Sequence, residues 1–299
     1  MTSPSVDAPF GRVLTAIVTP FTPDGGLDLV GLATLAEHLV AEGNDGLVVN
    51  GTTGESPTTT RAEKLAVVRT VVEAVGDRAH VVAGVGTYDT AQSVELSQDA
   101  AKAGATGLMA VTPYYSRPPE AGVIAHTERI ADSTDLPVML YDIPARTGLA
   151  LSHETLVRLS AHPRIVAVKD AKGDMGATGW LLARCDLAVY SGADELTLPL
   201  LSIGGVGVVS VVSHVATRPI ADLLRAYLGG DVARARDLNL RLQSAYVGIF
   251  RTQGVILTKA ALRLLGLPAG PVRLPLVDAT DEQITVLTQD LTRAGVLPA

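Results

Sequence analysis

The stretch IVAVKDA, residues 165–171, sets four apolar residues in a row before a lysine and an aspartate. A strand with one wet face alternates apolar with polar residues. This stretch does not, so both of its faces are expected to be covered. Seven further runs share that character: VLTAIVT (13–19), GLVVN (46–50), HVVAGVG (80–86), GLMAVT (107–112), PVMLYD (137–142), LAVYSG (187–192) and VGVVSVV (206–212). Runs of this kind suit a parallel sheet with helices laid over both faces.

Between the runs lie segments of helical period with start and stop signals. Asp28 is placed to cap a helix carrying Leu32, Leu35 and Leu39 on one stripe. Thr60 and Glu63 have capping-box spacing, and Leu65, Val68, Val72 and Val75 follow at helical intervals. Gly43, Gly76, Gly104 and Gly229 fall where helices should stop. Eight β-then-α units in order predict an α/β fold, a (β/α)8 TIM barrel. A doubly wound open sheet is the runner-up, but no glycine-rich dinucleotide fingerprint follows the first strand. Past about residue 230 the strands end, and 231–249, 252–265 and 281–296 read as helices. The expected division is a catalytic barrel over 1–230 and a C-terminal helical extension over 231–299, packed on the barrel.

Of the 299 residues, 47% are hydrophobic and 18% charged, ample for a large core. A net charge of −7 without a basic cluster argues against nucleic acid or an anionic membrane as partner. The longest apolar stretch, Val206 to Val212, is far too short to span a bilayer. The N-terminus, MTSPSVDAPFGR, lacks the charged and apolar regions of a secretion signal. Cys185 is the only cysteine, which rules out an intrachain disulfide and fits a reducing cytoplasm.

Barrel enzymes work at the C-terminal ends of their strands. There the sequence places Thr19, Thr52, Thr53, Thr87, Thr112, Tyr114, Tyr115, Tyr141, Asp142, Lys169, Asp170, Ser191 and Ser210. Hydroxyls dominate, and one lysine faces them. Lys169 has a plain reading, a strand end in water, and a sharper one, an amine of lowered pKa ready to attack a carbonyl. The six histidines are scattered and no cluster has metal-ligand spacing, so no metal is expected. In GTTGES (51–56) two glycines bracket two threonines, either as an ordinary loop or as a nest of amides for a small carboxylate. In VTPYYSRPP (111–119) adjacent tyrosines point opposite ways, so one can face its own pocket and the other elsewhere. In LYDIPARTG (140–148) Arg146 offers a planar fork for a carboxylate, or a surface ion pair. One lysine, several hydroxyls and one arginine on a single rim suit a carbonyl substrate that bears carboxylates.

GTTGESPT, VTPYYSRPP, YDIPARTG and VAVKDA stand in the order and context seen in the 4-hydroxy-tetrahydrodipicolinate (dihydrodipicolinate) synthase family of Schiff-base-forming class I aldolases. The chain resembles that family over nearly its whole length. The resemblance implies a carbon–carbon bond-forming lyase that condenses pyruvate with L-aspartate 4-semialdehyde, in the diaminopimelate route to lysine. It implies no cofactor beyond the covalent Schiff base, and commonly a homotetramer built from tight dimers. Carried over residue by residue, Lys169 resembles the Schiff-base lysine and Tyr141 the general acid/base. Thr52 and Thr53 resemble the pair that holds the pyruvate carboxylate, with Thr53 also in a proton relay. Tyr115 resembles the tyrosine that crosses a subunit interface to complete the neighbour's relay. Arg146 resembles the arginine that receives the semialdehyde carboxylate, and Val209 the residue whose carbonyl lies beside the keto acid.

A neutral Lys169 amine requires low-dielectric surroundings, and Ala167 and Ile165, two and four residues back, are expected to supply an apolar floor. Lysine-inhibited members of the family carry histidine, asparagine and glutamate near the loop after GTTGES. Arg61, Lys64, Tyr88 and Gln92 take those places here, and two cations with no acid predict weak or absent inhibition by L-lysine. Two rival readings stay open. One is a sister pyruvate lyase acting on N-acetylneuraminate or a 2-keto-3-deoxy sugar acid, against which the paired threonines and Arg146 speak. The other is an inactive, ligand-binding barrel, against which an intact Lys169 and Tyr141 speak.

Overall fold

Eight parallel strands pair in sequence order: β1 (Val13–Thr15), β2 (Gly46–Val49), β3 (His80–Gly84), β4 (Gly107–Val111), β5 (Val138–Asp142), β6 (Ile165–Asp170), β7 (Ala188–Ser191) and β8 (Gly207–Ser210). β8 returns to pair with β1, so the sheet closes into a barrel. The structure, a computed structural model, describes residues 7–298. The first six residues of the N-terminal stretch read above lie outside that range. β6 fills its whole apolar run, whereas β1 and β8 occupy only part of theirs. The remaining residues of those runs, such as Val18 and Val212, turn over the rim and stay buried.

The helices are α1 (Leu29–Ala41), α2 (Arg61–Val75), α3 (Thr90–Lys102), α4 (Glu120–Asp132), α5 (Pro144–Thr147), α6 (His153–Ser160), α7 (Met175–Leu182), α8 (Thr197–Ser202), α9 (Ser213–Leu228), α10 (Val232–Ile249), α11 (Gly254–Leu264) and α12 (Asp281–Arg293). Asp28 caps α1 by accepting from the Gly31 amide, and Thr60 and Glu63 close a reciprocal capping box on α2. The buried stripe of α2 is Val67, Val68, Val71 and Val75. Leu65 and Val72, expected on it, are only partly covered. The one-turn α5, which carries Arg146, was not foreseen; its four residues are too few to show a period.

Side chains alternate in and out along every strand, but both destinations are apolar. Leu14, Val48, Val82, Met109, Met139, Tyr141, Ala167, Tyr190 and Val209 fill the barrel. Leu47, Val49, Val81, Leu108, Leu140 and Val168 face the helices. This two-sided burial explains why the runs show no apolar/polar alternation. β6 breaks step once: Val138 pairs with Ile165 and Met139 with Ala167, leaving Val166 bulged. Ile165 therefore joins the helix-facing core, and Val166 packs against the interior instead. The expected floor under Lys169 keeps Ala167 and loses Ile165.

The C-terminal extension is sewn into the barrel. Leu238, Leu242, Tyr246 and Ile249 of α10, Leu257 of α11 and Leu287 of α12 share one buried cluster with Val13, Val208, Ile220 and Leu223. Burial of that many apolar side chains, each worth roughly 1.5–3 kcal/mol, makes the extension an integral wall.

Candidate active site

Because Ala167 faces inward, so does Lys169 two residues on. It is 5% exposed. Its Nζ lies 4.2 Å from the centroid of the Tyr141 ring. Burial lowers the Lys169 pKa from 10.5 to about 8; the Asp194 carboxylate opposes this and the Arg146 charge adds to it. The plain reading of Lys169 as a wet strand end is thereby excluded. Tyr141 is buried too, and loss of solvent pushes its phenol up to about 12, against the opposing pull of Arg146 and of the Thr52 hydroxyl. At neutral pH the phenol is protonated and able to donate.

The GTTGES segment folds as a tight turn over β2. Glu55 N donates to Thr52 O (3.1 Å), and Ser56 N to Gly51 O (3.3 Å). Asn50, at φ 55°, starts the turn, and its main chain presses on β3 so closely that a Cβ on Gly84 would stand 2.5 Å from Asn50 O. The amides of Thr52 and Thr53 donate to no protein acceptor among the described residues. Those amides, beside a buried cation, suit a small carboxylate. The hydroxyl that acts on Tyr141 is that of Thr52. Thr53, to which the resemblance gives the relay, lines the inner cavity with Tyr141 and Lys169.

Two adjoining cavities open on this corner. The outer, about 180 Å³, is lined by Thr52, Tyr114, Tyr141, Ile143 and Arg146 among others. The inner, about 60 Å³, adds Thr53, Lys169, Gly192 and Val211. Arg146 is exposed at their shared rim and makes no ion pair among the described residues, unlike the surface pair considered for it. Val209 is buried in the barrel interior, while Val211 is the β8-side residue that lines the cavity. Tyr114 packs edge-on against Tyr88. Tyr115 is 91% exposed at φ 69° and lines neither cavity.

The ring of hydroxyls is smaller than the sequence suggested. Thr19 donates to Gly54 O, Thr87 to Asp89 O, Thr112 to Tyr141 O and Ser191 to Ala193 O. Ser210 donates to the Asp194 carboxylate, which also accepts from the amides of Val211 and Val212. These groups hold their own loops. Asp142 and Asp170 also point away from the cavity: Asp142 pairs with Lys172 at 3.0 Å, and Asp170 accepts from Thr178. Each follows an inward residue, so it faces out.

Several cavity residues were missed. Phe250, Gln253, Gly254 and Val255 come from the extension and complete the lining of the inner cavity. Gly192 leaves room for Lys169, whose Cγ would stand 3.1 Å from a Cβ placed there. Asp194 sits in an unremarkable DEL segment; only the fold brings its charge near Lys169.

The effector-related positions also look different in three dimensions. Arg61 pairs with Asp99 at 2.6 Å and with Glu95, both on α3. Lys64 is turned inward, donating to Ser56 O, Thr59 O and Thr59 Oγ1. The expected pair of uncompensated cations is therefore corrected: α3 supplies acids that a local reading of the sequence does not reveal.

Among the described residues no group of three or more His, Cys, Asp or Glu is arranged to hold a metal, and no helix is long and apolar enough to cross a membrane. Residues 9–294 match the model of the Dihydrodipicolinate synthetase family. A 4-hydroxy-tetrahydrodipicolinate synthase of Acidothermus cellulolyticus is 63% identical over 295 residues, 99% of this chain and 96% of that one. A crystal structure of the enzyme from Cyanidioschyzon merolae, with lysine bound, superposes with a TM-score of 0.95 at 42% identity, covering 97% of this chain and 100% of that one. A structure described as the first monomeric dihydrodipicolinate synthase variant gives 0.93 at 36% identity, covering 97% and 98%.

Proposed function

The chain belongs to the dihydrodipicolinate synthetase family, and we propose that Lys169 is the nucleophile with which it condenses pyruvate and L-aspartate 4-semialdehyde to 4-hydroxy-tetrahydrodipicolinate. One observation carries the assignment: a buried amine of lowered pKa lies against a buried, protonated phenol, beside two free amides. The neutral amine adds to the pyruvate ketone, and loss of water gives an iminium. That cation draws electrons from the adjacent methyl, which loses a proton to become an enamine. The enamine carbon attacks the aldehyde, and the resulting alkoxide takes up a proton. The semialdehyde amine then attacks the iminium carbon, freeing Lys169 and closing the ring.

Within this reading the Thr52 and Thr53 amides hold the pyruvate carboxylate, and Tyr141 moves protons with the help of Thr52. Arg146, unpaired at the rim, receives the second carboxylate. The Val209 carbonyl, assigned beside the keto acid on the resemblance alone, belongs to the same proposal. So does Tyr115: an exposed tyrosine outside its own pocket suits completion of a neighbour's relay, which requires at least a dimer and fits a homotetramer. Residues 1–230 supply the nucleophile and 231–299 a wall of its pocket. The reaction needs no cofactor, and a cytoplasmic setting suits a pathway of small soluble metabolites. The deciding experiment is reduction with borohydride in the presence of pyruvate. Mass spectrometry is expected to find one adduct, on Lys169, absent in Lys169→Ala; an unlabelled Lys169 refutes the assignment.

A further inference from the structure

Glu55 and Lys259 form an ion pair with no solvent access that none of these steps uses. Lys259 Nζ lies 2.6 Å from Glu55 Oε1, and the side chains are 0% and 1% exposed. Lys259 also donates to Pro271 O at 2.7 Å, and Glu55 Oε2 accepts from the Arg273 amide at 2.8 Å. Phe21 is flanked by both cations: Lys259 Nζ is 4.3 Å and Arg273 Cζ 4.1 Å from its ring centroid. Burying two charges costs several kcal/mol per ion before pairing, and an apolar pair of similar volume often serves stability equally well. Stability alone does not account for such a pair.

Its location does. Glu55 closes the threonine turn, its amide bonded to Thr52 O, and holds φ 54°. A residue with a Cβ keeps that left-handed backbone only where its surroundings enforce it. Lys259 lies on α11, whose first residues, Gly254 and Val255, line the inner cavity together with Thr53 and Lys169. The ion pair thus ties together two walls of one pocket, a turn and a helix far apart in sequence. The outward-facing side of the turn is anchored; the inward-facing side is left to the ligand.

We propose that Glu55 and Lys259 are positioning residues that fix the distance between the threonine turn and α11, and with it the carboxylate subsite of the keto acid. The inference rests on the Schiff-base reading. Its consequence is that affinity for pyruvate depends on a pair that never touches it.

The test uses the full-length double variant Glu55→Gln/Lys259→Met, which removes both charges and keeps the volumes, and therefore avoids a lone buried ion. Borohydride trapping is measured against pyruvate concentration. The half-saturating concentration is expected to rise by about tenfold or more, as small misplacements do, while the pH midpoint of trapping at saturating pyruvate stays that of the wild type. A folded double variant with wild-type half-saturation overturns the proposal. If the double variant does not fold, Glu55→Gln alone is read in the same way, because Lys259 retains Pro271 and Phe21. Absence of any adduct in the wild type refutes the Schiff-base reading instead, so the two failures are distinct.

Discussion

Lys169 and Tyr141 are register partners across β5 and β6, and the Lys169 amine stands 4.2 Å from the centre of the Tyr141 ring. The sheet ladder fixes this approach: inward residues at the same level of adjacent parallel strands have no other direction to take. The ring face favours an ammonium, while burial favours the free amine and prevails.

Tyr141→Phe keeps the ring and removes only the hydroxyl. The condensation kcat is expected to fall by roughly 10²–10⁴, with the borohydride adduct still forming at saturating pyruvate. A variant with wild-type kcat would remove Tyr141 from proton transfer.

The lowered Lys169 pKa, about 8, sets the direction of a pH profile. Below that value most of the amine is protonated, so the rate of adduct formation should rise about tenfold per pH unit and level off above it. A rise that continues toward 10.5 would mean that the amine is solvated like a free lysine.

Gly192→Ala places a methyl 2.8 Å from Ala171 Cβ and 3.1 Å from Lys169 Cγ. Overpacking of this kind costs roughly 1–3 kcal/mol. Lys169 is the movable neighbour, so slower trapping should accompany the loss of stability. Unfolding curves together with trapping rates check this, and wild-type trapping in a destabilised variant would contradict it.

His214 is a structural histidine. Its Nε2 accepts from Val18 N at 3.0 Å and its Nδ1 donates to Val211 O at 2.7 Å, a pattern open only to the neutral ring. Burial takes its pKa from 6.5 to about 4. Between those values the unfolded chain binds a proton that the folded chain refuses. The stabilisation present above pH 6.5 is therefore lost as pH falls toward 4, by about 3 kcal/mol in total. Denaturant melts of wild type and His214→Gln should show this slope in the first and its loss in the second.

L-Lysine is expected to inhibit weakly. The Arg61 guanidinium has Asp99 and Glu95 occupied, and the Lys64 ammonium is held inward, so a cationic effector meets no free carboxylate at these positions. Calorimetric titration that found tight binding of L-lysine would refute this.

The barrel was legible because two-sided burial leaves an uninterrupted apolar run, and because Asp28, Thr60 and Glu63 announce their helices. Lys169 was legible as the last inward position of such a run. What stayed hidden depends on contacts distant in sequence. A bulge at Val166 carries no side-chain signal, so Ile165 was assigned to the wrong face. The acids beside Arg61 belong to the next helix. Gly192 matters only for what surrounds it. The wall formed by Gln253, Gly254 and Val255 stands at the start of α11, where every residue from Gly254 to Leu262 is buried and no face stands out. Thr52 and Thr53 are chemically identical, and only the turn tells them apart.

Because α11 closes the pocket, a growing polypeptide has no working centre when its eighth strand leaves the ribosome. Ile220, Leu223 and Val208 must wait for later helices to cover them. Nascent or truncated chains are accordingly expected to expose this apolar surface and to lack one wall of the pocket. Shortening this enzyme to its barrel would sacrifice both solubility and catalysis.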